Sequence, residues 1–282
     1  MSYRIPTGAG LGFRRELIEP LKQSVPNVID FFEVAPENWA GLGGRSAKDL
    51  RHFTERYPFV CHGLSLSLGG PAPLDTQLLR TTKNFMKMHG MQLFTEHLSW
   101  CSDGSHLYDL LPIPCTQEAV MWTAKRIAQA QDILEMRIGI ENASTYIAPP
   151  GAEMSEAEFV AAVVKEADCL LHLDVNNIYV NSQNFGFDAL DYLNTLPLER
   201  TCYVHVAGHY IEPDGLLIDT HGAEVIDPVW HLLLRAYERI GGDVPTCLER
   251  DFNLSSLNEL SVEVMQIAQL QAQAPRVYKK VA

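Results

Sequence analysis

His62, His97, Glu141, Asp174, His205 and Glu249 each stand at the end of a short apolar, β-prone run: PFVCH, MQLFTEH, RIGIE, LLHLD, CYVH and TCLE. Imidazole and carboxylate groups are the usual nitrogen and oxygen donors to first-row metals. A barrel of parallel strands carries all its C-terminal strand ends to one rim, where such groups would repel or stay unpaired unless cations lay between them. The pattern therefore predicts a multinuclear metal cup. Two loop segments add donors. In 219-DTH-221 an extended backbone would set Asp219 and His221 on one face. In 174-DVNN-177 the chain leaves the strand at Asp174, and Asn177 can turn back to offer its amide oxygen. His62, His97, Glu141, Asp174, Asn177, His205, Asp219, His221 and Glu249 thus form the expected metal-ligand set. It contains no thiolate, which favours iron, manganese or zinc over copper(I) or an iron–sulfur cluster. His209, four residues past His205, is the candidate catalytic residue, placed to supply a proton or orient a ligand.

The runs that end in these residues lack polar alternation, as expected of strands covered on both faces. Helical patterns such as RRELIEPLKQS, DTQLLRTTKNFMKMHG and DPVWHLLLRAYERIGG alternate with them along the whole chain. Eight βα units result, an α/β (β/α)8 TIM barrel expected to form a single domain over 1–282, with PRVYKKVA as a short C-terminal tail. Ser155 with Glu158 reads as a capping box, and Gly241–Gly242 closes the seventh helix. GAGLGFR lacks the GxGxxG spacing of a dinucleotide site, so its glycines serve close packing at the barrel entrance. Glu33, Glu37 and Asn38 follow the second strand and are expected near the rim. Trp100 and Tyr146 are candidates to wall a groove, and His172 shares the inward face of its strand with Asp174.

The formal charge of −13 argues against binding a phosphate backbone, which calls for a basic face. The six cysteines include no CxxC pair, and Cys61, Cys169, Cys202 and Cys247 fall inside apolar runs, as small buried hydrophobes do in a reducing compartment. MSYRIPTGAG has no apolar signal region and no run approaches a membrane span, so a cytoplasmic location without membrane partner is expected.

The ligand order is similar to that of endonuclease IV and other xylose-isomerase-like barrels with three metals, except that Asn177 stands where the nuclease pattern has a second histidine. FFEVAPENW, CHGLSLSLGG, TEHLSW, IENASTY, LDVNNIYVN and HVAGH resemble a narrower group, the multinuclear non-haem iron oxidases that include the methanobactin-biosynthesis oxygenase. The resemblance runs from about residue 8 to 255. It implies two or three irons in mixed valence on the nine donors above, dioxygen as co-substrate, and a cysteine-containing, ribosomally made precursor peptide as substrate. A separate peptide-presenting protein is implied as partner. The subgroup most similar in length and wording is the one acting on short cysteine-bearing precursors such as copper-binding bufferins. Two other functions compete: a metal-dependent phosphodiesterase or sugar isomerase on the same barrel, and a non-catalytic metal-binding protein.

Overall fold

A computed structural model of the chain describes residues 6–103 and 106–275. The expected tail lies outside the described residues from residue 276 onward, as does the opening segment 1–5. Eight parallel strands close into a barrel: β1 (Ala9–Gly12), β2 (Phe31–Val34), β3 (Phe59–Gly63), β4 (Phe94–His97), β5 (Gly139–Glu141), β6 (Leu170–Asp174), β7 (Thr201–Ala207) and β8 (Thr246–Glu249). Each strand pairs with its sequence neighbours, and β8 pairs with β1. This is the (β/α)8 architecture that the alternation of patterns implies. No helix among the described residues is long and apolar enough to cross a membrane.

Strand period and register build the barrel interior in two layers. Inward positions recur every second residue, so Phe31, Val60, Leu93, Tyr203 and Cys247 form a fully buried apolar plug. Two residues further along the same strands come Glu33, His62, Thr95, His205 and Glu249. The pairings His62↔Thr95, His97↔Glu141 and Asp174↔His205 hold these polar groups at one level above the plug. The floor is tight. A Cβ at Gly10 would meet the Phe31 ring at 2.4 Å, which accounts for glycine at this entrance.

Helices α1 (Ile18–Gln23), α2 (Gly44–Thr54), α3 (Thr76–His89), α4 (Gln117–Leu134), α5 (Glu156–Glu166), α6 (Val175–Phe185), α7 (Asp227–Ile240) and α8 (Leu257–Gln273) supply the outer layer. Ser155 and Glu158 cap α5 reciprocally, and Gly241 ends α7 at a φ of 82°. Asp174 closes β6 and caps α6 at once, its Oδ1 accepting from the Asn177 backbone N–H at 2.6 Å. The strand-end donor thereby turns the chain so that Asn177 returns toward the rim. Additional to the eight units are two short helices, Pro36–Trp39 and Ala189–Thr195, and two antiparallel hairpins, Trp100–Ser102/His106–Leu111 and Tyr210–Ile211/Leu217–Ile218.

Beside the barrel mouth lies an apolar cavity of about 290 Å³ lined by Ile113, Phe159, Phe185 and alternate residues of the loop after β5, Ala143, Thr145 and Ile147. At its edge Glu156 accepts from both Asn181 Nδ2 (3.1 and 3.2 Å) and Tyr192 Oη (3.1 Å). Burial pushes this carboxyl up to about 7, against the lowering effect of the Tyr192 and Asn181 hydrogen bonds. Below about pH 4.5 the group is protonated in both folded and unfolded chains. Between there and about pH 7 only the unfolded chain has lost the proton, so stability falls as pH rises. In metal-free protein, Glu156→Gln should gain stability relative to wild type across that interval in urea unfolding. A difference that does not change with pH would contradict the assignment.

Candidate metal centre

Three groups of donor atoms follow one another around the rim. His62 Nε2 lies 3.2 Å from Glu141 Oε2 and 3.4 Å from His97 Nε2, and His97 Nε2 is 3.5 Å from the same carboxylate oxygen. His205 Nδ1 faces Glu249 Oε2 at 3.0 Å, Glu141 Oε1 at 3.7 Å and Asp174 Oδ2 at 4.0 Å. His221 Nε2 is 2.7 Å from Asp219 Oδ1, and its Nδ1 is 3.3 Å from Glu249 Oε2. Glu141 and Glu249 each touch two groups, the placement a bridging carboxylate would have.

The side chains behind the rim fix how each imidazole is presented. His62 Nδ1 contacts Thr95 Oγ1 at 2.7 Å, and His97 Nδ1 donates to the Gly63 carbonyl at 3.1 Å, leaving both Nε2 atoms toward Glu141. A second hydrogen bond of this kind selects the tautomer in which a ring nitrogen is free for a metal. Asn177 Nδ2 donates to the Asn142 carbonyl at 3.0 Å, which leaves its amide oxygen free. Asp219 Oδ1 accepts from Asn176 Nδ2 at 2.7 Å, and its Oδ2 from Ser144 Oγ at 2.9 Å.

The atoms left over identify what the cup fits. Glu141 Oε2, Asp174 Oδ2, Asn177 Oδ1, His205 Nδ1 and His221 Nε2 are buried without a hydrogen-bond partner. Buried polar atoms are rarely left so, because each loses its hydration without return. Two donors bound at about 2.0–2.2 Å to one ion are about 3 Å apart at right angles and at most about 4.4 Å apart, and the spacings above, apart from the shorter His221–Asp219 contact at 2.7 Å, fall in that range. Electrostatics point the same way. Burial first, then the charges of Glu141 and Asp219, holds the Asp174 carboxyl well above its ordinary range. Burial would depress His97, but Glu141 and Glu96 together lift it to about 9. Within the protein alone, protons must therefore do part of the neutralising that divalent cations would do.

All nine expected ligands lie at this rim or directly behind it, though not all by the expected route. His221 has a φ of 48°, so Asp219 and His221 meet through a left-handed turn and not through an extended strand. His209 does not line the cup. Its Nδ1 bonds Asn176 Oδ1 at 2.8 Å, and it reaches Asp219 only through that asparagine; burial lowers its pKa and keeps it neutral. Trp100 is occupied within its hairpin, donating to the Ser102 carbonyl, whereas Tyr146 lines the cup. Glu33 stands in the same layer as Glu249 and turns inward, its Oε2 2.6 Å from His205 Nε2. Asp251 was not among the expected residues, yet its Oδ2 is 3.0 Å from His221 Nδ1 and its Oδ1 pairs with Arg14. Its sequence signal is its position two past Glu249.

The cup opens into a cavity of about 500 Å³ bounded by Glu37, Leu64, Leu110, Tyr146, Thr220 and Phe252. No cysteine lines it among the described residues; five of the six cysteines are buried and Cys202 is half-buried.

The family model for RiPP precursor modification enzymes of the MbnB/TglH/ChrH type matches residues 8–272, and the chain belongs to that family. A UPF0276 protein of Nitrosospira multiformis is 61% identical over 264 residues, covering 94% of this chain and 93% of its own. One from Alcanivorax borkumensis is 56% identical over 278 residues, covering 95% and 93%. Among solved structures, endonuclease IV from Thermus thermophilus superimposes with a TM-score of 0.57 at 16% identity, covering 95% of this chain and 99% of that one. A D-psicose 3-epimerase gives 0.57 at 13% identity over 93% and 92%. These two likenesses establish the xylose-isomerase-like barrel. The family establishes an enzyme acting on a ribosomally made precursor peptide.

Adding ferrous iron anaerobically to chelator-treated protein should raise its melting temperature, since an ion that binds only the folded cup contributes about 2.7 kcal/mol at a hundredfold excess over its Kd. Identical melting curves with and without metal at pH 7 would show that these donors hold no cation.

Proposed function

We propose that the protein is a multinuclear non-haem iron oxidase that uses dioxygen to rearrange a cysteine of its precursor peptide. The observation that carries this reading is the convergence of buried, unpartnered nitrogen and oxygen donors on one rim, in a chain of the precursor-modifying family. His62, His97 and Glu141 would hold one iron, and Glu141, Asp174, His205 and Glu249 a second. Asn177, Asp219, His221 and Glu249 supply donors for a third. Bound irons would supply a site for a deprotonated thiol and a route for its electrons to dioxygen.

The chain's own side chains do the rest. The open wall of the cavity is where a peptide segment would enter, with Tyr146 and Phe252 presenting aromatic surface at the mouth. Because no cysteine of the chain lines the cavity, the reacting sulfur comes from the substrate. Glu37 lines the same cavity, and burial followed by the Glu96 charge pushes its carboxyl up to about 7. Its Oε1 accepts from the Leu64 amide while Oε2 has no partner, so Oε2 is suited to hold a proton near neutral pH. His209 acts through Asn176 to keep Asp219 oriented. A presenting partner protein and a cytoplasmic location belong to the same reading.

A candidate cysteine precursor incubated with enzyme, presenting partner, ferrous iron and oxygen should change mass, and its Cys→Ser version should not. Equal mass changes for both peptides would rule out sulfur-directed oxidation. His221→Ala should lower iron content and turnover together, and an iron-replete, active variant would remove His221 from the ligand set.

A further inference from the structure

Inside the barrel mouth, one carboxylate makes two contacts that the metal reading does not by itself require. Glu33 Oε2 is 2.6 Å from His205 Nε2 and 2.8 Å from Tyr203 Oη, and all three residues are buried. Tyr203 stands two residues before His205 on the same face of β7, and Glu33 reaches both from β2 across the barrel. We propose that Glu33, braced by Tyr203, is the positioning residue that decides which nitrogen of His205 meets a metal. Tyr203 Oη donates to Glu33 Oε2, and the same carboxylate oxygen is the acceptor that faces His205 Nε2 and holds its proton there. The lone pair of the neutral ring is then on Nδ1, the buried and unpartnered atom that faces Glu249, Glu141 and Asp174.

His205 is presented in the opposite sense to His62 and His97, which turn Nε2 toward Glu141. With Nδ1, the nitrogen nearer the backbone, turned up to the cup, the far edge of the ring points down into the barrel. A partner is then required there, and in an otherwise apolar plug Glu33 and Tyr203 supply it. The backbone partner used by His97 and the hydroxyl partner used by His62 are replaced at His205 by a carboxyl group, the kind of partner that raises the basicity of a coordinating nitrogen.

This inference rests on the proposed metal cup, and the test separates the two. Wild-type, Glu33→Gln and Tyr203→Phe proteins are titrated with zinc, a diamagnetic stand-in, against a competing chelator. Nitrogen-15 imidazole spectra then report the tautomer of each loaded histidine. Wild type should show Nε2–H with Nδ1 metallated at His205. Glu33→Gln should weaken one ion by about 10- to 100-fold, the usual cost of losing such a partner, while the His62/His97 ion stays within twofold. Tyr203→Phe, which keeps the fold's volume and the carboxylate, should shift the same ion in the same direction by less. Wild-type protein that binds no zinc would sink the cup itself. Wild-type loading with unchanged affinities and unchanged His205 spectra in both variants would overturn the role of Glu33 alone.

Discussion

Charge confinement is the constraint on which the rest of the structure depends. The register of the barrel lifts Glu141, Asp174 and Glu249 to one buried level over an apolar plug, and Asp219 joins them from a loop. A low-dielectric floor makes their mutual repulsion costly, and it prevents water from relieving it. The imidazoles of His97, His205 and His221, held above their ordinary pKa by these carboxylates, answer part of that charge together with Arg14. Cations at the proposed centre would answer the remainder, and the same cations would give the site its reactivity.

Each supporting contact follows from this. His62, His97 and His205 each spend one ring nitrogen on a protein partner and aim the other at carboxylates. Asp174 divides its two oxygens between the start of α6 and the cup, so the helix and the site form together. The loop after β5 alternates in the same spirit: Ser144 and Tyr146 reach Asp219, while Ala143, Thr145 and Ile147 face the apolar cavity. Loop packing on one side thereby fixes donor orientation on the other.

Much of this is written in the chain. Fully apolar runs alternating with helical patterns are enough for the parallel barrel, and the donors that close six of those runs are visible without coordinates because all parallel strands finish on one rim. Glu33 and Tyr203 are harder to read. Their signal is a period-two pairing, Phe31 with Glu33 and Tyr203 with His205, in which the apolar member marks the plug and the polar member the layer above. Glu33 and Glu249 share that layer, and what separates them is the ring nitrogen each meets, Nε2 of His205 for Glu33 and Nδ1 for Glu249. The two hairpins were not legible, because their short strands carry mixed exposure and a barrel connection of that length reads as loop. The left-handed turn at His221 escaped for a local reason: nothing in DTHG favours φ above zero at the histidine over the glycine that follows.

The central claim is that several ions share this one rim. Crystals of protein loaded with ferrous iron under anaerobic conditions, measured with X-rays just above and just below the iron absorption edge, test it directly. The account predicts two or three separate anomalous peaks, each within bonding distance of atoms from His62, His97, Glu141, Asp174, Asn177, His205, Asp219, His221 and Glu249. A fully loaded crystal with a single peak, or with peaks bound away from these side chains, would contradict it.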